Sequence, residues 1–246
     1  MTMFLSFGEP IEALVVGANG GLGQAFVAAL QADSNVQTVN AWSRNTPIVS
    51  DDKIITRTVA PDNEAQLAAA MRQLGQLSLV IVATGALHND AGLQPEKSRN
   101  AIDPAQMAES YRINTIIPAL IAKHALAKLP RRGKAVFCVL SARVGSITDN
   151  QLGGWYSYRA SKAALNQIVK CLGIELGRTH PEAVCIGLHP GTVDTALSRP
   201  FQPSLAADHH LFQPAESVDR MLRVIDASTS VQSGSLLAWD GSIIPA

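Results

Sequence analysis

Net charge is missing from this 246-residue chain: twenty basic residues are matched by twenty acidic ones, and charged residues are only 16% of the total. Without an excess of either sign there is no electrostatic case for nucleic acid or an anionic membrane surface as a partner. Cysteine is scarce as well. Cys138, Cys171 and Cys185 are odd in number, show no C-x-x-C spacing and lie in apolar segments, which predicts buried reduced thiols ahead of disulfides or zinc ligands. The six histidines offer no pair at ligand spacing beyond the adjacent His209 and His210, so no metal site is expected. Long hydrophobic runs are absent too: "LSLVIVATGAL" falls far short of a membrane span, and "MTMFLSFGEP" has no basic region and breaks at Gly8 and Pro10. These absences predict a soluble cytoplasmic protein with a small-molecule substrate, no nucleic-acid partner and no membrane.

What is present is a regular alternation. The length suits one α/β domain over residues 1–246, and an apolar fraction of 47% predicts a well-buried chain whose surface is partly covered by identical neighbours. Apolar runs at 12–18, 35–42, 53–59, 77–84, 134–141 and 183–189 read as strands. Helical patterns stand between them at 21–32, 62–74, 104–129 and 155–177, Pro214 opens a last helix to Ile225, and "SGSLLAW" supplies a final strand. Strands that alternate with helices form a parallel sheet covered on both faces, a doubly wound fold whose ligand sits at the carboxyl ends of the strands.

The turns at those ends carry the chemistry. In "VVGANGGLGQ", Gly17, Gly21 and Gly23 lie between a strand and a helix, where glycine lets the backbone approach a pyrophosphate that the helix N-terminus favours. The second strand ends in "NAWSRN", with no carboxylate to accept bonds from a ribose; Ser43 and Arg44 stand there instead, and Arg44 suits a 2′-phosphate, hence NADP(H) ahead of NAD(H). In "GGWYSYRASKAALN", Tyr158 and Lys162 are four apart and share a helix face, whereas Tyr156 does not. A phenol beside an ammonium is expected to have its pKa lowered toward the operating range, which suits it to exchange a proton with a carbonyl or hydroxyl oxygen.

These motifs together resemble the short-chain dehydrogenase/reductase family: "GANGGLG", Asn114 in "YRINTIIPA", "YRASK" over 158–162, and "HPGTVDT" over 189–195. The stretch from Ser141 to Asn166 is similar to the subgroup around the C-factor signalling protein and the sniffer-type carbonyl reductases. The resemblance implies a single-domain Rossmann fold with a seven-stranded sheet, nicotinamide-dependent oxidoreduction between a carbonyl and a secondary alcohol, and a homodimer or homotetramer. It implies proton exchange at Tyr158, with Lys162 lowering its pKa and bonding the nicotinamide ribose. Asn114 would hold a water through a helix irregularity that Pro118 eases. Cofactor contacts would come from Gly17, Asn19, Gly20, Gly21, Leu22, Gly23, Ser43 and Arg44, and from Ala83, Thr84 and Gly85 after the fourth strand. Pro190, Gly191, Val193 and Thr195 would line the nicotinamide end.

Three departures from the family pattern stand out. The carbonyl-polarising serine usually stands three residues before the glycine after the fifth strand; that position is Ala142, with Ser141 and Ser146 on either side, and Ser141 is the favoured substitute. The family's N-N-A-G is "ATGA" here, and the adenine-contacting acid is missing, with Val59 or Asp62 as stand-ins. The Pro-rich segment 196–213 reads as a lid, whose Phe201, Leu205, His209 and Phe212 either contact substrate or simply pack the loop, and Trp155 and Tyr156 either wall the pocket or fill core. Ala142 also motivates an alternative: a nucleotide-binding signalling protein with vestigial catalysis.

Overall fold

A computed structural model describes residues 3–8, 10–45, 51–204, 206 and 209–246. In chain order these form β1 (Ile11–Val16), α1 (Gly21–Ala32), β2 (Val36–Ser43), β3 (Ile54–Thr58), α2 (Glu64–Arg72), β4 (Leu79–Val82), α3 (Pro104–Tyr111), α4 (Ile117–Ala125), β5 (Val136–Leu140), α5 (Tyr156–Gly177), β6 (Val184–His189), β7 (Thr192–Val193), β8 (Leu211–Phe212), α6 (Pro214–Ala227) and β9 (Leu236–Ala238). Seven strands make one parallel sheet in the order β3-β2-β1-β4-β5-β6-β9. The order reverses beside β1, which opens a crevice at the carboxyl ends of β1 and β4.

Side-chain alternation builds the two cores. On β5, Val136, Cys138 and Leu140 face Phe26 and Leu30 of α1 and Met221 and Ile225 of α6, while Phe137 and Val139 face Leu67 of α2, Ile121 of α4 and Leu165 and Val169 of α5. Both faces of the central strands are therefore buried, which is why they read as unbroken apolar runs. Asn63 caps α2 by accepting from the Gln66 amide at 3.1 Å, and Asp103 caps α3 by accepting from Gln106 at 2.9 Å, with Pro104 in the first turn. Among the described residues no helix is long and apolar enough to cross a membrane.

The structure differs from the sequence reading at three places. The helix expected over 104–129, besides the irregularity expected at Asn114 and found as a π turn at Arg112–Ile116, ends in a 3-10 turn at Leu126–Lys128. Cys171 is exposed, unlike Cys138 and Cys185, because it sits on the face of α5 opposite Leu165 and Val169. The lid segment carries a 3-10 helix at Arg199–Ser204 and returns through β8, which pairs with β7.

Candidate active site

The first turn is held by backbone. Gly17 and Ala18 donate to the Trp42 carbonyl at 2.9 and 3.0 Å, and Gly20 donates to Gly17 at 3.0 Å. Gly17 has φ 90°, and a Cβ there would stand 2.9 Å from the Ala83 carbonyl; at Gly23 it would lie 2.1 Å from the Gly17 oxygen. Helix α1 therefore starts hard against the end of β1. Its cap residue, Gly20, makes no side-chain bond and its first turn holds no acid, which leaves the leading amides for an anion. At the end of β2, Ser43 is buried and donates to the Asn45 carbonyl at 3.1 Å, while Arg44 is exposed.

Helix α5 delivers Tyr158 and Lys162 together. The Lys162 ammonium lies 5.9 Å from the Tyr158 ring centre and donates to the Leu140 carbonyl at 2.9 Å; both residues are buried, whereas Tyr156 is 38% exposed. The π turn carries Asn114, fully buried, whose amide clasps the loop after β4: Nδ2 donates to the Ala86 carbonyl at 2.9 Å and Oδ1 accepts from the Ala86 amide at 3.0 Å. A Cβ on Gly85 would stand 3.4 Å from Asn114 Oδ1 and 3.6 Å from Lys162 Nζ, so glycine lets these three segments meet. Pro118 follows four residues after Asn114. With no N–H to give, it removes the amide that an α-helical register would bring to the Asn114 carbonyl.

The expected lowering of the Tyr158 pKa is not what the structure shows. Burial pushes the phenol up to about 12 and the Lys162 ammonium down to about 8, since taking either charged form out of water outweighs the attraction across their separation. The phenol therefore holds its proton at neutral pH. A depressed lysine pKa means that between pH 8 and 10 the unfolded chain binds a proton the folded one has shed, so stability rises with pH across that window. Denaturant titrations of the wild type and Lys162→Met at pH 7.5 and 9.5 are expected to show a larger gain with pH in the wild type.

A cavity of about 420 Å³ collects most of the named residues. Gly20, Gly21 and Leu22 line it from the first turn, Ala83, Thr84 and Gly85 from the end of β4, and Tyr158 and Lys162 from α5. Pro190, Gly191, Val193 and Thr195 complete it after β6. Gly17 and Gly23 are packed within the turn, Asn19 lies in it with its carbonyl accepting from Gln24 Nε2 at 2.9 Å, Asn114 stands behind Gly85, and Ser43 and Arg44 lie at the end of β2; none of these is in the cavity wall. Ser141 and Ala142 line the cavity but Ser146 does not; the Ser146 oxygen accepts from the Asp149 amide at 3.1 Å. The Ser141 hydroxyl donates to Asn166 Oδ1 at 2.6 Å.

Of the stand-ins for the adenine contact, Val59 is buried and Asp62 is paired with Arg112 at 2.6 Å. Among the lid candidates, Phe201 and also Trp155 line the cavity. Phe212 does not: it is buried against Trp239 at 4.8 Å and fills the space beside Gly191, as its place in a strand requires. His209 bonds Thr192 Oγ1 at 2.7 Å on the surface, and Leu205 lies outside the described residues.

Sequence reasoning missed two contributors. His189 lines the cavity, and burial lowers it to about 4, so it is neutral there. Glu96 is buried, with its carboxylate accepting from the Ser157 amide at 3.1 Å and from the Ser157 hydroxyl at the start of α5. An acid sixty-one positions away leaves no local signal.

A family model described as short chain dehydrogenase matches residues 12–205. The C-signal of Myxococcus xanthus is 34% identical over 145 residues, covering 58% of this chain and 81% of that protein. Carbonyl reductase Sniffer of D. melanogaster superposes with a TM-score of 0.81 at 21% identity, over 96% of this chain and 99% of the other. The NADPH-bound carbonyl reductase from chicken fatty liver gives 0.78 at 24% identity, over 98% and 97%. These structures share the fold of this chain.

Proposed function

The chain belongs to the short-chain dehydrogenase family and is an NAD(P)-dependent oxidoreductase, and we propose that it uses NADP(H) to interconvert a carbonyl and a secondary alcohol on a small, apolar molecule. The observation that carries this reading is the meeting, in one mainly apolar cavity, of the glycine turn with Tyr158 and Lys162. The residues present fit a dinucleotide: side chains on Gly17 or Gly23 would collide with backbone, and α1 offers its leading amides to a pyrophosphate. When bound, the nicotinamide supplies or accepts the hydride.

The protein's own part is position and proton exchange. Tyr158 gives its proton to the substrate oxygen during reduction and takes one back during oxidation. Lys162, anchored at the Leu140 carbonyl, is placed to bond the nicotinamide ribose and to favour the phenolate in the oxidative direction. Asn114, carried on the π turn, holds a water that passes the proton onward. Ser141 serves as the second donor to the substrate oxygen: a half-turn of the Asn166 amide brings Nδ2 to the Ser141 oxygen and releases the hydroxyl proton. Pro190, Gly191, Val193 and Thr195 bound the nicotinamide end, and 196–213 serves as the lid of this single domain. Exposed Ile102 just before α3, Ile116 in the π turn and Ile174 on α5, 43, 50 and 53% accessible, support association through the helical segments 104–129 and 155–177 into a homo-oligomer.

Arg44 tests the choice of cofactor. One charge-assisted contact to a 2′-phosphate is worth about 1.5–3 kcal/mol, so Arg44→Ser is expected to weaken NADPH binding roughly 10- to 100-fold while NADH binding stays put. Fluorescence titration of both cofactors measures it, and equal losses for the two would remove Arg44 from that role.

A second reading, a nucleotide-binding signalling protein with weak catalysis, is favoured by one observation: Ala142 lines the cavity without a hydroxyl while the Ser141 hydroxyl is engaged by Asn166. Losing one such donor costs about 10²- to 10³-fold in turnover. Measurable carbonyl reduction that drops by that factor in Ser141→Ala decides for the enzyme. Turnover that is negligible in the wild type and appears in Ala142→Ser decides for the second reading.

A further inference from the structure

The loop into α5 runs through three consecutive left-handed residues, Gly153 and Gly154 at φ 64° and Trp155 at φ 51°; Trp155 is the one non-glycine residue at positive φ among those described. Glycine adopts that conformation freely, whereas a side chain pays for it in steric strain. The surroundings hold Trp155 there. Its amide donates to the Glu96 carbonyl at 2.5 Å, and the buried Glu96 carboxylate fixes Ser157 two residues on, at a helix start with no side-chain cap of its own. Backbone strain that neighbours over-determine beside a cavity points to a task for the side chain.

That side chain is an indole in the cavity wall. Its ring centre lies 6.3 Å from that of Tyr158 at 72°, and 5.1 Å from that of Phe201 at 60°; Phe201 in turn meets His88 at 5.8 Å. An aromatic row thus runs from the lid to Tyr158. The wall beside it is aliphatic, from Leu87, Leu140, Val144 and Leu197. A flat ring entering next to Trp155 extends a series of tilted edge contacts, each worth about 0.5–1.5 kcal/mol beyond the area it buries.

Building on the reading above, we propose that Trp155 determines specificity, by receiving an aromatic ring carried on the substrate carbonyl, so that aryl ketones and the matching benzylic alcohols are the substrate class. The test compares an aryl methyl ketone with a short aliphatic methyl ketone, using NADPH and the wild type, Trp155→Asn and Trp155→Phe. Asparagine tolerates the left-handed conformation, so the strain it relieves offsets part of the lost ring packing and the first variant is expected to fold. The wild type should favour the aryl ketone in kcat/KM, the aryl-to-aliphatic ratio should fall at least tenfold in Trp155→Asn, and Trp155→Phe should restore much of it. An unchanged ratio in Trp155→Asn, or an aliphatic preference in the wild type, overturns the assignment. Calorimetric binding of the same two ketones to the NADPH-saturated protein separates the two readings. An aryl preference in binding that Trp155→Asn abolishes, with no turnover in any form, supports the role of Trp155 and counts against the reaction; no aryl preference in binding overturns that role.

Discussion

Tyr158→Phe is expected to cut turnover by roughly 10²- to 10⁴-fold, the usual worth of a positioned acid or base, while NADPH binding changes less than about twofold. The variant removes one oxygen and keeps the ring, so the packing of a residue only 9% exposed against Trp155 and Lys162 survives. A proton donor that acts in the transition state should show as a fall in kcat with KM nearly constant. The pH profile sharpens the expectation. With burial holding the phenol at about 12, the donor is loaded at every ordinary pH, so carbonyl reduction should stay level from pH 6 to 8. Alcohol oxidation requires the phenolate and should climb as pH rises. Turnover in Tyr158→Phe that matches the wild type would dismiss the mechanism outright, whichever substrate is used.

Much of this was legible in the chain because it rests on local periodicity. The β-α alternation, the start of α1 after the glycine turn, and the shared face of Tyr158 and Lys162 all follow from spacings of two or of four that no distant contact overrides. The irregularity around Asn114 was legible for a similar reason: Pro118 removes an amide that the helix needs, and the π turn lies where that loss falls. Features built by distant residues were not legible. Glu96 reaches the start of α5 from a loop sixty-one residues earlier, so no window of sequence contains both partners. The sign of the Tyr158 shift also escaped, because a pairwise rule carries the attraction of Lys162 but not the depth at which the fold buries both groups. For Phe212 the chain left substrate contact and ordinary packing open, since a two-residue strand such as β8 has too few positions to show a period.

The glycine turn makes an equally sharp prediction, because two effects of Gly23→Ala oppose each other. Within a helix, alanine in place of glycine gains about 1 kcal/mol from propensity alone. That gain is all that Gly177→Ala should show at the far end of α5, where an added Cβ meets nothing within 4 Å. At Gly23 the new Cβ would stand 2.1 Å from the Gly17 oxygen, well inside the 3.0 Å that Cβ atoms keep, and 2.9 Å from the Ala18 Cα. The obstacle is backbone, and it cannot swing aside: Gly17 and Ala18 are tied to the Trp42 carbonyl, and Gly20 to Gly17. Helix α1 must move as a body by about an ångström, at a cost of about 3 kcal/mol or more, which outweighs the propensity gain. The same movement draws the leading amides of α1 away from the pyrophosphate, so NADPH affinity should fall at least 100-fold. Thermal unfolding and NADPH titration of the two alanine variants side by side should therefore diverge: Gly177→Ala as stable as the wild type or more so, with normal binding, and Gly23→Ala low in Tm and nearly blind to the cofactor. If Gly23→Ala kept wild-type affinity, the amides of α1 would not be the pyrophosphate site, and the crevice at the ends of β1 and β4 would need another ligand.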